Sequence, residues 1–453
     1  MMDKEKQQYD KMVNTPIKKL VLKLAIPTII SMLVTSIYNL ADTLFVSSLG
    51  ESVSGAISIV FPIMTIIQAV GFTLGMGAGS LISAKLGKEE NDEAKSIGSI
   101  AFYTSIAFGF LILLFGLVFL GPILNNVLGA TETIFPFAKH YAFYILLGSP
   151  IMTGSFVLNN ILRSEGKSKF AMIGLVTGGV INIILDPLFI FAFKLGIKGA
   201  SIATVISQTI SFILLIIPFL RNKTIVDLSI KKISKYFSSL FEIVRTGFPS
   251  LARQGLATLS TIVMNNVAAN IGNDAGISAM GIVAKVFMVI FAITLGIGQG
   301  YQPVCGYNYF SRNYKRVKDA LIFTFLFSVI CMSGIAIVVY FTAPYLIDIF
   351  IDSDKVVEIG KQALRYQCLV MPLIPFNVIC NMTYQATRKK VRATLLSICR
   401  QGIFYIPLIL LLPKYFGLTG LEVSQPIADV LTSLFSVPYF ISIIRRLNKE
   451  IEI

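Results

Sequence analysis

The sequence predicts an all-α integral membrane protein: twelve transmembrane helices in two pseudo-symmetric six-helix bundles around a central cavity. Three observations carry that expectation. The 453 residues are 55% hydrophobic and only 14% charged, against roughly 25% charged in an average soluble domain. Apolar runs of membrane-crossing length recur twelve times. The second half of the chain also repeats the first at an offset near 222 residues.

The supply of charge decides the class. A water-facing exterior cannot be assembled from so few charged side chains, which excludes a soluble globular enzyme, a disordered chain and a disulfide scaffold. Five cysteines (Cys305, Cys331, Cys368, Cys380 and Cys399) all fall in the second half without a C-x-x-C spacing, and they read as apolar filling.

A helix crossing the roughly 30 Å hydrocarbon layer needs about 20 apolar residues. Spans 1 to 12 are accordingly expected at 20–46, 53–81, 97–120, 134–162, 169–193, 199–220, 240–270, 276–304, 317–342, 357–384, 393–412 and 420–443. The runs are too long, and too uniform in polarity, for membrane strands. Polar or Gly/Pro-containing breaks separate them, such as Gly50-Glu51-Ser52, Gly121-Pro122 and Asp352-Ser353-Asp354. Span 1 exceeds 25 residues and contains Pro27, which predicts a kink or tilt.

Orientation follows from the basic residues. The net charge is +15, from 39 Lys+Arg against 24 Asp+Glu. The two termini and every second loop hold 28 of these basic residues, and the alternate loops hold six. That asymmetry places both termini in the cytoplasm, consistent with an even number of spans. The basic rim would contact anionic membrane lipid, so nucleic acid is not needed to explain the charge. The first apolar run is span-length and lacks a small-residue cleavage site, so no removable signal peptide is expected.

The repeat divides the chain. Leu24-Ala-Ile-Pro27 answers Thr246-Gly-Phe-Pro249, and Leu49-Gly50 answers Ile271-Gly272. Leu74-Gly-Met-Gly77 answers Leu295-Gly-Ile-Gly298, Pro150 answers Pro372, Leu195-Gly196 answers Phe416-Gly417, and Gly199 answers Gly420. Each unit has six spans, so both insert in the same sense and relate by a pseudo-two-fold axis along the membrane normal. Residues 1–220 and 240–453 are the predicted bundles, with 221–239 as a cytoplasmic linker. Two bundles facing a midplane cavity is the plan of a transporter that rocks between two openings.

Ionisable residues inside such a membrane mark function by default. The first half holds Asp42 in span 1 and Asp186 in span 5. Tyr38 and Asn39 share a broad face with Asp42. Asn182 stacks one turn from Asp186, and Pro187 releases the carbonyl of Ile183 from its helical donor. Thr204 and Gln208 share a face of span 6, and Gln68 and Asn160 are further polar candidates. At the repeat positions of the two acids stand Met264 and the apolar Pro407 or Leu408, so the scaffold itself does not require carboxylates there. The second half carries Arg253, Lys285, Arg400, Glu422 and Asp429, for which structural ion pairing is the simpler reading. His140, the single histidine, sits near the outer end of span 4 and reads as a surface residue. Gly71, Gly75 and Gly79 recur every four residues in span 2, as close helix packing requires. No phosphate-binding loop G-x-x-x-x-G-K-[ST], no nucleophilic triad and no metal-ligand constellation occurs. The chain is therefore not expected to be an enzyme, and no cofactor is predicted.

These residues together resemble the multidrug and toxic compound extrusion (MATE) family, and within it the DinF-like bacterial branch. The resemblance covers essentially the whole chain. It is carried by Ile26-Pro27 with Tyr38-Asn-Leu-Ala-Asp42, by Leu162-Arg-Ser-Glu-Gly166 and by Asn182-Ile-Ile-Leu-Asp186-Pro187. Gly199-Ala-Ser-Ile-Ala-Thr204 and Gly298-Gln-Gly-Tyr-Gln-Pro303 complete it. It implies drug/cation antiport at the plasma membrane, a cation site at Asp42, Asn182, Asp186 and Thr204, and a bend of span 1 near Pro27. The NorM-like branch instead has acids in spans 7 and 10; here span 7 has Arg253-Gln254, and a second-half sodium site is not expected.

The expected activity is proton-coupled export of amphipathic, mostly cationic drug-like compounds, with sodium as the other coupling ion and the protein acting as a monomer. Two carboxylates in one low-dielectric cavity repel, so their protons belong to the pair. The 34 Phe, 17 Tyr and 14 Met supply adaptable surfaces for flat lipophilic cations. Two rival readings stay open: a flippase of lipid-linked or other amphipathic anionic precursors, for which Arg253 and Lys285 would serve, and a non-transporting channel or scaffold.

Overall fold

The computed structural model describes residues 2–233, 236–350 and 353–452; Lys235 of the linker and Asp352 of one predicted break lie outside the described residues. A short helix, α1 (Met2–Asn14), precedes the membrane region. Spans 1 to 6 are α2 (Ile17–Ser47), α3 (Glu51–Gly87), α4 (Asn91–Val118), α5 (Phe135–Ser164), α6 (Ser168–Pro187) and α7 (Ile197–Leu220).

The second half runs its helices together more. Helix α8 (Tyr236–Phe310) has 75 residues, about 110 Å at 1.5 Å per residue, far more than one crossing. The Ala268 carbonyl lies 3.6 Å from the Cβ position of Gly276; eight residues of straight helix would hold such groups about 12 Å apart. The chain thus folds back there, and α8 supplies spans 7 and 8. Span 9 is α9 (Tyr314–Asp348). Span 10 is α10 (Asp354–Val370) and α11 (Ile374–Ala386), joined by a tight turn at Met371–Leu373 that contains Pro372. Span 11 begins with α12 (Lys390–Ile398) and passes through the π-turn Cys399–Tyr405 into α13 (Ile406–Glu452). Gly417, at φ 54° and ψ −130°, breaks α13, and its remainder is span 12.

The duplication shows in the backbone itself. Gly196 adopts φ 55°, ψ −135°, almost the angles of Gly417. The non-glycine residues Glu89 and Arg312 sit at φ 61° and 60°, and Gly166 and Arg388 at φ 74° and 60°. A side-chain bond repeats too: Asn159 donates to the Ala171 carbonyl, and Asn381, 222 positions later, donates to that of Ala393. The same left-handed corners at matching places make each half turn between spans in the same way.

Among the described residues, the core shared by the two halves lies toward the face carrying the termini. A continuous core at the face carrying the termini mixes Leu20, Leu24, Leu81 and Ile82 with Tyr301, Val304 and Ile379. On the opposite face the apolar cluster around Val46, Val60 and Tyr141 belongs to the first half alone. Four glycines let backbones touch across the boundary. A Cβ on Gly77 would press on the Ile243 carbonyl, and one on Gly247 on the Thr73 carbonyl. Gly296 and Gly300 lie equally close to Ile29 and Ala25. Spans 2 and 7, and their repeat counterparts 8 and 1, are therefore in backbone contact near the terminus face.

Helix α1 lies beneath that closure and ties both halves. Gln8 donates to the Glu165 carbonyl and Glu5 pairs with Lys95 at 2.8 Å, both in the first half. From the second half, Asn308 donates to the Met12 carbonyl at 3.1 Å and Arg316 to that of Thr15 at 2.6 Å. Met12 is fully buried between them.

Candidate functional site

The first-half polar residues converge inside the membrane, toward the face opposite the termini. Two features of the sequence place them there. Along α2, the side chains of Thr28, Ser31, Thr35, Asn39 and Thr43 each donate to the carbonyl four residues back, at 2.8–2.9 Å. Such back-bonding satisfies polar groups without water and loosens a helix, and it runs on from Pro27, whose missing N–H already removes one rung. In α6, the pair Gly178-Gly179 lets both neighbours approach. A Cβ on Gly179 would stand 2.7 Å from Val34 and 3.1 Å from Tyr38 of α2; one on Gly178 would stand 2.8 Å from Ser211 of α7. Asn182 and Asp186 follow on the same face and so point at α2.

The result is a buried acidic pair. Asp186 is fully buried, Asn182 is 2% exposed, Thr204 6% and Asp42 9%. Asn182 donates to Asp186 Oδ1 at 3.1 Å. Tyr141 of α5 donates to Asp42 Oδ2 at 3.4 Å and also lies 3.9 Å from Met64 Sδ. Gln208 donates to the Tyr38 hydroxyl at 3.4 Å. Asp42 Oδ1, Asp186 Oδ2 and Asn182 Oδ1 have no hydrogen-bond partner among the described residues. These three buried, unspent oxygens are acceptors open to a proton or a small cation, since each such group left unpaired is costly. Thr204 turns its hydroxyl to the Ala200 carbonyl of its own helix at 3.0 Å. After Pro187, α6 ends in a π-turn over Leu188–Ala192, a form that recurs at functional sites.

Other predicted residues lie elsewhere. Asn160 belongs to a separate cluster near the terminus face, where it accepts from Arg163 at 2.6 Å. Gln68 is half-buried and His140 exposed. Arg400 forms a buried ion pair with Asp429 (2.7 Å), which also accepts from Gln367 (2.6 Å) and Gln425 (3.0 Å). The Arg400 guanidinium stacks over Phe287 and Phe291 at 5.1 and 4.7 Å. Arg253 donates to Met76 Sδ at 3.9 Å, and Arg253, Lys285 and Glu422 have no ion pair among the described residues.

Tyr141 and Gly179 escape a reading of polar patterns. A lone tyrosine among many carries no spacing signal, and a glycine in a span reads as generic packing. Glu165 is similar: within Leu162-Arg-Ser-Glu-Gly166 it is fully buried, pairs with Lys167 at 2.6 Å and accepts the N–H groups of Ile225 and Val226 at 2.9 and 2.8 Å. It therefore pins the segment after α7 to the first half.

The MatE family model matches the chain twice, over residues 27–188 and 249–411. The two matches begin 222 residues apart, at the offset of the internal repeat. The chain belongs to the MatE family of membrane transporters. It is 30% identical over 439 residues to the multidrug export protein MepA of Staphylococcus aureus (strain MRSA252), covering 96% of this chain and 95% of that protein. Among solved structures it is similar to a multidrug resistance MATE family transporter of the MOP superfamily in an outward-facing conformation, with TM-score 0.92 and 25% identity over 97% of this chain and 98% of that one. A MATE structure in the straight conformation is similar at TM-score 0.91 and 25% identity, over 97% and 99% of the two chains. Twelve spans in two lobes are the architecture this MATE protein shares with them.

Proposed function

We propose that this MATE protein is a multidrug efflux antiporter of the bacterial plasma membrane, with its termini in the cytoplasm, exporting lipophilic and mostly cationic compounds in exchange for protons. The carrying observation is the buried Asp42–Asp186 pair with unspent carboxylate oxygens, confined to one of two otherwise repeated halves. Two buried carboxylates on neighbouring spans are costly to keep charged together, so a proton or cation stabilises them. A proton entering from the open face neutralises the pair and weakens its attraction for a cationic compound. The loosened, proline-containing α2 that carries Asp42 is the element able to respond. Bundles 1–220 and 240–453, joined through 221–239, then exchange the closure at the terminus face for one at the other. Each elementary charge moved inward through 100 mV supplies about 2.3 kcal/mol, enough for roughly fiftyfold accumulation. Export relates the chain to what MepA is named for, and the acids in spans 1 and 5 favour the DinF-like branch.

In this reading Asp42, Asn182, Asp186 and Thr204 hold the proton or, in its place, sodium as the exchanged ion. Tyr38, Asn39 and Gln208 support them, and the monomer surrounded by lipid is the working unit. Proteoliposomes with independently imposed proton and sodium gradients test it. Uphill ethidium export should follow the proton gradient and vanish in Asp42→Asn and Asp186→Asn. Undiminished export by both variants would sink the coupling model.

A second reading has Arg253 and Lys285 in its favour, two half-buried cations without an ion pair among the described residues. They would suit the head group of an anionic amphiphile, making the protein a flippase. Protein-dependent flipping of a labelled anionic lipid, unaffected by ethidium, would support that activity instead.

A further inference from the structure

Arg163 occupies the last turn of α5 and is 5% exposed. A guanidinium does not lose its charge in a protein, so this one is a permanent buried cation. Its Nη2 donates to Asn160 Oδ1 at 2.6 Å, and its Nη1 to Gln299 Oε1, which belongs to the other half. Both acceptors are neutral amides. Among the described residues Arg163 makes no ion pair, and the carboxylate of Glu165 is spent on Lys167, Ile225 and Val226. The C-terminus of α5 offers at most about half an elementary charge. Leaving the remainder uncompensated is unfavourable.

The guanidinium borders a small cavity of mixed lining, with Met76 and Pro303 beside Ser83, Asn160, Gln299 and Gln302. Its free space is about 20 Å³, room for one water-sized species. The donors left over belong to Arg163 and Gln299; the Ser83 and Ser164 hydroxyls donate to the Ser80 and Ile161 carbonyls of their own helices, and Gln302 keeps its oxygen as an acceptor. Arg163 has five N–H groups and spends two. Gln299 turns its oxygen to Arg163, which leaves its amide nitrogen unspent. The Ser80 and Gln385 partners of Gln302 take up that residue's own nitrogen.

We propose that this cavity is a binding site for a small monovalent inorganic anion of the halide class, chloride in water, held between Arg163 of the first half and Gln299 of the second. The anion completes the charge balance of Arg163 and joins the two halves where they touch. Its release when the halves part rests on the alternating-access reading above; the site does not.

Crystals of the unsubstituted protein grown with bromide, and thermal inactivation in chloride against gluconate at equal ionic strength, test the site without any transport assay. The expected results are an anomalous bromide peak in contact with Arg163 and a saturable rise in the inactivation temperature with chloride but not gluconate. Arg163→Met and Gln299→Leu should each abolish that rise. A bromide map without a peak at Arg163, or a chloride effect unchanged in Gln299→Leu, overturns the proposal. Should Arg163→Met fail to fold, the bromide map and Gln299→Leu still decide it.

Discussion

Gln302 of span 8 donates to the Ser80 hydroxyl of span 2 at 3.0 Å. The local repeat offset of 221 pairs Ser80 with Tyr301, the residue next to Gln302. Counterpart helices that touch at counterpart residues must straddle the axis relating them. The pseudo-two-fold axis therefore passes between spans 2 and 8, within the closure at the terminus face. Arg163 lies to one side, and to the other lies its repeat mate Gln385, which donates to the Thr246 carbonyl at 3.4 Å and the Ser250 hydroxyl at 3.3 Å. Symmetry of backbone is thus combined with asymmetry of charge.

The closure depends on backbone contact that only glycine permits. A side chain at Gly247 would meet the Thr73 carbonyl, and backbone cannot yield as a flexible side chain does. Gly247→Leu is expected to hold the terminus face apart. With normal expression, export should fall at least about tenfold, and a cysteine introduced at Ser83 should become reactive to a membrane-impermeant thiol reagent from that face.

The acid site depends on a glycine in the same way. Gly179→Leu would push α2 from α6 and separate Asp42 from Asn182 and Asp186. Proton-driven ethidium export should fall at least about tenfold, while Gly179→Ala, whose methyl meets mainly the Val34 side chain, should retain a substantial part. Equal activity of the leucine variant would show that the two acids work apart.

Arg400 and Asp429 are expected to act as a structural pair. Arg400→Met leaves Asp429 buried with only Gln367 and Gln425 as partners, at a cost of about 3–5 kcal/mol. The double variant Arg400→Met with Asp429→Leu should recover most of that loss. A thermal-inactivation double-mutant cycle measures the coupling; additive losses would contradict the pairing.

Glu165→Ala should release the segment after α7. Two buried N–H groups and Lys167 lose their acceptor, at about 3 kcal/mol in total, although Ser99 and Tyr103 still hold the Asp227 and Leu228 carbonyls at 2.9 and 2.8 Å. Limited trypsin digestion should then cut at Arg221 or Lys223 at least about tenfold faster than in the unsubstituted protein, with the remaining fragments intact.

Much of the fold was legible because a membrane simplifies the physics. Backbone groups in hydrocarbon must be satisfied within helices, so apolar runs became spans, and near-identical glycine and proline spacing revealed the duplication. The reversal between spans 7 and 8 was legible too, at Gly272-Asn-Asp-Ala-Gly276, although the backbone stays helical through it over Tyr236–Phe310. Asp42 and Asp186 stood out because charge is scarce in that background, and their shared burial follows the helical spacing of Asn182 and Asp186.

Sequence alone determined what each stretch must be: a span, a corner, a buried acid. Tertiary structure decided which stretches meet. Asn160, a further polar candidate in the sequence, pairs with Arg163, because α5 runs from Tyr141 near one face to Arg163 near the other and serves two sites at once. Tyr141 reached Asp42 across 99 residues, and the terminus-face closure was set by four glycines approaching backbones in the other half. Those pairings depend on distances between helices far apart in the chain, and no local pattern encodes them.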